Sequence, residues 1–223
     1  MADARSTKAV VIFDLDGVLT DTVELHFRSW KLLTDELGIP FDRRINESLR
    51  GLSRSKSLEI VLGEHAERFN AEQQRDLADR KSATYLEFVG RMSPDDVLPG
   101  AVELLADLRA RGVPVAVASS SRNARKVIDG LALRSWLDVI VDGNDVALSK
   151  PAPDLFLEAA ARLNAEPQRC VVVEDAESGV RAAQAAGMKV VGVGPPERVG
   201  HADRVVHALA ELTADAVLSL LPR

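Results

Sequence analysis

One pattern constrains this chain more than any other. Short, uninterrupted apolar runs rich in β-branched residues each give way to polar residues, and helical patterns lie between them. Residues 9–15 (AVVIFDL) are the first such run and end in a turn at Asp16-Gly17. Residues 113–118 (VPVAVA) are the second, followed by Ser119-Ser120-Ser121. Residues 139–141 are a weak third. Residues 170–173 (CVVV) are the fourth, followed by Glu174-Asp175, and residues 190–193 are the fifth. Apolar runs without alternation suit strands covered on both faces. Between them, residues 101–111 place Val102, Leu105 and Leu108 on one helical face, and Gly112 stops that helix. Residues 122–131 read as a weaker helix, 154–163 as a helix beginning beside Pro153, and 179–186 as an Ala-rich helix capped by Gly187. Strand and helix in alternation predict an α/β fold, a doubly wound parallel sheet with helices on both faces.

Residues 21–92 break this rhythm. They contain helical patterns only, over 23–37, 55–62 and 71–89, and read as an all-helical insert after the first strand. Ser93-Pro94-Asp95-Asp96 returns the chain to the sheet. Two lobes are therefore expected, 1–20 with 93–223 and 21–92, with hinges near Thr20-Asp21-Thr22 and Met92-Ser93-Pro94. The chain's 223 residues are enough for a sizeable core. With 28 Lys and Arg against 34 Asp and Glu, the net charge is −6, which disfavours a nucleic-acid partner. The lone cysteine, Cys170, excludes an internal disulfide framework and fits a reducing compartment. The first eight residues lack the apolar stretch of a leader, and no run approaches a membrane span. A cytoplasmic protein with no membrane partner is the expectation.

In a doubly wound sheet, ligands sit beyond the carboxyl ends of the strands. The residues expected on that rim are Asp14 and Asp16 after the first run, Ser119 to Asn123 after the second, Lys150 in a later loop, and Glu174-Asp175 after the fourth. Crowded carboxylates need a cation, and an all-oxygen site suits Mg²⁺. With Lys150, such a cation would balance an incoming phosphate, as phosphoryl transfer requires. Hydroxyls and backbone N–H groups at Ser119 and Ser120 can hold phosphoryl oxygens. One Asp can attack phosphorus, and a second, two residues later, can move the proton of a substrate hydroxyl. Each element also has a bland reading: Asp-x-Asp as a turn, Glu174-Asp175 as a helix cap, Lys150 as a loop lysine. Their joint occurrence in this order is harder to explain that way.

These residues resemble the haloacid dehalogenase-like superfamily of phosphotransferases. Asp14-Leu15-Asp16-Gly17-Val18-Leu19 is similar to its first motif, Ser119 to the second, Lys150 to the third and Glu174-Asp175 to the fourth. The resemblance implies a Rossmann-like core with an inserted helical cap. Within the superfamily, His26-Phe27-Arg28-Ser29-Trp30, Gly51-Leu52-Ser53-Arg54 and Ser149-Lys150-Pro151-Ala152-Pro153-Asp154 are similar to its sugar-phosphate mutases. That implies interconversion of β-D-glucose 1-phosphate and glucose 6-phosphate, with β-glucose 1,6-bisphosphate as intermediate and primer. It further implies Asp14 as nucleophile and Asp16 as general acid/base. Asp14, the Asp16 carbonyl, Glu174 and Asp175 would surround Mg²⁺. Ser119, the Ser120 backbone and Lys150 would hold the transferring phosphoryl group, and Thr22 and His26 would govern Asp16. Arg54, Ser121, Arg122 and Asn123 would serve the second phosphate, Lys81 would contact the sugar phosphate, and Gly51 would line the substrate site. Arg122 stands where a lysine is familiar and Ala176 where a serine is common.

A sugar-phosphate phosphatase on the same fold is the alternative, and a non-catalytic binding protein a third reading. A small-molecule partner and a monomer are expected. His65, His201 and His207 have no ligand-like spacing. Trp30 and Trp136 read as packing, Cys170 as a small core residue. Gly192-x-Gly194 lacks the third glycine of a dinucleotide site, since Glu197 stands there.

Overall fold

The structure is a computed structural model that describes residues 8–222. The reading of the N-terminus as no leader falls on residues 1–7 and lies outside them. Among the described residues the strands are β1 (Val10–Phe13), β2 (Val115–Ala118), β3 (Val139–Val141), β4 (Cys170–Glu174), β5 (Lys189–Val193) and β6 (Arg204–Val206). They form one sheet in the order β3-β2-β1-β4-β5-β6, every neighbouring pair parallel. The sequence-predicted strands are all present. β6 escapes sequence reading because it is three residues long and half-buried at the sheet edge.

The helices are α1 (Val23–Leu37), α2 (Arg43–Glu47), α3 (Arg54–Leu62), α4 (Ala71–Val89), α5 (Ala101–Ala110), α6 (Ala124–Gly130), α7 (Asp154–Arg162), α8 (Glu177–Ala185), α9 (Pro196–Val199) and α10 (Ala214–Leu218). Strand side chains alternate between the sheet's two faces. Val11, Phe13, Val115, Val117, Val171 and Val173 pack with α5, α6 and α10. Val10, Ile12, Ala116, Cys170 and Val172 pack with α7 and α8. The buried face of α5 is Ala101, Leu104, Leu105 and Leu108, whereas Val102 is exposed. The expected face is corrected by about one position: 101, 104, 105 and 108 follow the i, i+3, i+4, i+7 stripe, and 102 lies off it.

Helices α1 to α4 build a separate cluster from Trp30, Leu33, Phe41, Leu58, Val61, Leu62 and Leu77. Asn70 caps α4 with a full capping box, and Asp42 and Ser53 cap α2 and α3. Tyr85 and Val89 at the end of α4 join the core beneath the sheet. The segments that lead into and out of this helical layer lie side by side. Thr20 bridges Val97, and the Thr20 hydroxyl donates to the Asp96 carbonyl at 2.8 Å. No helix among the described residues is long and apolar enough to cross a membrane.

Candidate active site

The strand ends place the polar residues together, as a parallel sheet does. Asp14 follows β1 directly, and its backbone N–H donates to the Val173 carbonyl at 2.9 Å, which locks the ends of β1 and β4 side by side. The turn after it needs Gly17. That residue has φ +85°, and a Cβ there would run into the Asp175 carboxyl. Only glycine lets the Asp14-to-Asp16 turn lie this close to the end of β4.

Lys150 reaches the same point from the loop after β3. Its ammonium is fully buried and donates to Asp14 Oδ1 at 2.5 Å and to Glu174 Oε2 at 2.8 Å. Burial alone would lower its pKa, but Asp14 and Glu174 outweigh that and hold it above the usual lysine range. The other Glu174 oxygen, Oε1, accepts from the Ala176 N–H at 3.1 Å. Asp14, Glu174 and Asp175 each offer an oxygen within 4.8 Å of the others, and all three are buried. Burial, followed by the Asp14 charge, raises the pKa of both Glu174 and Asp175. Lys150 serves Asp14 and Glu174, and the Arg50 guanidinium serves Asp175 at 2.7 Å. Three buried carboxylates converging with oxygen donors only fit a hard divalent cation such as Mg²⁺.

The Asp16 carboxylate is turned away from that cluster and accepts from the Thr22 hydroxyl, the N-cap residue of α1. Burial, and then the charge of Asp14, pushes the Asp16 pKa up to about 6, while Thr22, Lys150 and Lys81 oppose the rise. The Thr22 bond engages the Asp16 carboxylate outside the three-carboxylate cluster. Behind Thr22, Lys81 on α4 lies against His26 on α1, Nζ to Nδ1 2.7 Å, and His26 stacks on Tyr85 at 4.3 Å. Burial and then Lys81 drive the His26 pKa well below its usual value. Burial lowers that of Lys81 to about 7. A neutral imidazole accepting at Nδ1 carries its proton on Nε2.

Ser119, beyond β2, is buried and accepts the Ser121 N–H at 3.1 Å, which leaves its own proton to donate. The Ser120 hydroxyl donates to the Gly51 carbonyl at 2.8 Å and accepts from the Ser149 hydroxyl at 2.8 Å. That hydroxyl ties the helical layer to the sheet, a role the sequence reading did not assign to it. Gly51 has φ +70° and packs against Ala176 and Ser178, so the turn between α2 and α3 sits on the N-terminal end of α8. Asn123 makes a second tie, Nδ2 to Ser82 Oγ at 3.0 Å.

Thirteen of the fifteen residues singled out in the sequence line one cavity between the sheet rim and the helical layer, Lys150 and Glu174 being the exceptions. Both side chains are fully buried, and Lys150 reaches the site through its bond to Asp14 and Glu174 through its bond to Lys150. Arg54 faces the cavity but turns its guanidinium to Asp79 on α4 at 3.1 Å, with a longer contact to the Ala78 carbonyl at 3.4 Å. Sequence reasoning missed Arg50, Asn46, Ser57, Ser82 and Tyr85, which also line the cavity. Ser82 and Tyr85 carried a usable signal, because both lie on the α4 face that holds Lys81. Trp30, read as packing, is buried and also lines the cavity, with Lys81 Nζ 5.1 Å from its ring centroid.

Comparison with known proteins agrees with this geometry. Residues 8–187 match the family model described as haloacid dehalogenase-like hydrolase. Over 208 residues the chain is 45% identical to a β-phosphoglucomutase of Bacillus subtilis, covering 92% of each. It is 29% identical to a phosphorylated carbohydrates phosphatase of Thermotoga maritima, covering 95% of this chain and 97% of that one. Its fold matches a crystal structure of β-phosphoglucomutase from Clostridium difficile with a TM-score of 0.92, at 35% identity and 96% coverage of both chains. The strand-end carboxylates with their buried lysine, the helical layer across the rim and these likenesses together establish that the chain belongs to the haloacid dehalogenase-like hydrolase family.

Proposed function

We propose that the chain is an isomerase that interconverts β-D-glucose 1-phosphate and glucose 6-phosphate. The observation that carries this reading is a cavity with phosphate chemistry at both ends. Asp14, Asp16 and Ser119 stand on the sheet rim, and Arg54, Ser121, Arg122 and Asn123 stand where the helical layer meets it. A hydrolase needs only the first group. A mutase passes through a bisphosphate and must hold whichever phosphate is not reacting.

Asp14 is the nucleophile: a carboxylate oxygen attacks phosphorus and the bond from phosphorus to the sugar oxygen breaks. Asp16 gives its proton to that leaving oxygen. In the reverse direction Asp16 takes the proton of the sugar hydroxyl as it attacks the aspartyl-phosphate. The Asp16 pKa of about 6 leaves both protonation states accessible near neutral pH. Lys150, Ser119 and the Ser120 backbone N–H donate to the phosphoryl oxygens. Mg²⁺ would be held by Asp14, Glu174, Asp175 and the Asp16 carbonyl, and would supply charge neutralisation for the phosphoryl group. Thr22, with the His26–Lys81 pair behind it, holds Asp16 away from Asp14, and Lys81 and Gly51 border the sugar. β-Glucose 1,6-bisphosphate is the primer that charges Asp14. Residues 1–20 and 93–223 act as the core and 21–92 as a cap that closes over the substrate and excludes water from the aspartyl-phosphate. A cytoplasmic monomer completes the proposal.

The Thermotoga maritima relative makes sugar-phosphate hydrolysis the second reading. Phosphorus NMR of enzyme, Mg²⁺, β-glucose 1-phosphate and a trace of the bisphosphate separates the two. Glucose 6-phosphate formed without free phosphate is the expected result. Free phosphate as the main product overturns the mutase reading.

A further inference from the structure

An ion-pair ring joins the helical layer to the sheet beside the carboxylate cluster, and neither the phosphoryl chemistry nor the motifs account for it. Arg50, in the turn after α2, donates through NH1 to Asp175 Oδ2 at 2.7 Å and through Nε to Glu47 Oε1 at 2.7 Å. Arg198, on α9, donates through NH1 to the same Glu47 oxygen at 3.0 Å and through Nε to the Asp175 carbonyl at 2.6 Å. A longer Arg198 contact to Asp175 Oδ2, at 3.9 Å, completes the ring. Each half contributes one arginine and one acid: Arg50 and Glu47 from the helical layer, Arg198 and Asp175 from the sheet side. The pairs that matter cross the boundary. Asp175 is 3% exposed and Arg50 19%, so the bond between them is shielded from solvent.

Asp175 is also one of the three carboxylates suited to Mg²⁺, on which this argument rests. A guanidinium at 2.7 Å withdraws charge from a carboxylate that a cation would use, and two cations close to one carboxylate repel each other. We infer that Arg50 is a positioning residue that competes with the divalent cation for Asp175, so that seating the helical layer and loading Mg²⁺ oppose each other in the substrate-free enzyme. Coupling of this kind is reciprocal: if closure weakens the cation, the cation loosens closure. A substrate phosphate brings negative charge to the same place and relieves the conflict. The cation therefore enters the open enzyme, and closure is kept for the complex that holds both cation and phosphate. Arg198 supports Arg50 through Glu47 and holds the Asp175 backbone.

Isothermal titration of the substrate-free protein with Mg²⁺ alone tests this. Arg50→Gln is expected to tighten Mg²⁺ binding roughly fivefold, the worth of a partly shielded ion pair. Arg50→Lys is expected to restore wild-type affinity, and Arg198→Gln to tighten binding less. Small-angle scattering supplies the second readout: Mg²⁺ should enlarge the wild-type radius of gyration and leave that of Arg50→Gln unchanged. Mg²⁺ binding that is unchanged or weaker in folded Arg50→Gln overturns the inference, as does a wild-type radius that ignores Mg²⁺. Asp175→Asn keeps the two questions apart. If it binds Mg²⁺ as the wild type does, the cation site itself has been misassigned and the inference falls with it. If it loses Mg²⁺ while Arg50→Gln does not gain, the site stands and only the competition is wrong.

Discussion

Replacing Lys150 with methionine keeps the volume of the side chain and removes its charge. The ammonium is fully buried and bonded to Asp14 at 2.5 Å and Glu174 at 2.8 Å, so the variant strands two carboxylates in the interior. Taking one partner from a buried ion pair costs about 3–5 kcal/mol. For a chain of this length each kcal/mol moves the melting temperature by roughly 2–4 °C, so a fall of about 6–20 °C is expected in metal-free buffer. The penalty should depend on pH. Burial and Asp14 already raise the Glu174 pKa in the folded protein, and loss of Lys150 raises it further. A group with a raised folded pKa is stabilising below its unfolded value, and that contribution disappears as pH rises through the folded one. Lys150→Met should therefore lie nearest the wild type below about pH 4.5, the ordinary glutamate range, and lose ground towards pH 8. Mg²⁺ should recover part of the loss at pH 8, because it supplies the missing charge. Thermal melts of both proteins at pH 4.5 and pH 8, with and without Mg²⁺, decide the matter. A deficit equal in all four conditions would mean that Lys150 acts by packing alone, and the charge-balance argument would be refuted.

Three further outcomes are expected. Arg54→Ala should depress mutase turnover far more than hydrolysis of a small phosphate ester, since the ester has no second phosphate; equal losses in the two assays would remove the two-phosphate argument. Thr22→Val removes a hydrogen bond that favours ionised Asp16, so the Asp16 pKa should rise above about 6. Charging of Asp14 by the bisphosphate needs protonated Asp16, so its rate falls as pH rises, and in Thr22→Val that fall should shift to higher pH. A pH–rate profile identical to the wild type would detach Thr22 from Asp16. Gly17→Ala forces a left-handed alanine at roughly 1–2 kcal/mol and drives its Cβ into Asp175. Chemical denaturation should show at least that loss together with weaker Mg²⁺ binding. Unchanged Mg²⁺ affinity would mean that the turn does not set the Asp175 position.

The strand ends were legible in the sequence because the information there is local. A run such as CVVV must be buried, and the residue where apolar character stops must sit on the sheet rim. Asp14, Ser119 and Glu174 follow from that rule alone. The rule also places the helical insert, since residues 23–89 carry a helical period and no strand pattern. It works less well where burial is partial. β6 is half-buried at an edge, and the stripe on α5 was misread at Val102 because a single apolar residue can lie off the buried face. What only the tertiary structure decided is which parts of the helical layer meet the sheet. Arg50 is an unremarkable turn residue until the turn after α2 is laid beside the end of β4, and the Ser120 hydroxyl has no partner to name until the Gly51 carbonyl is brought to it. Such pairings depend on how the helical layer is docked on the sheet. No local period or spacing encodes that arrangement, because it is fixed by the fit of one surface against the other.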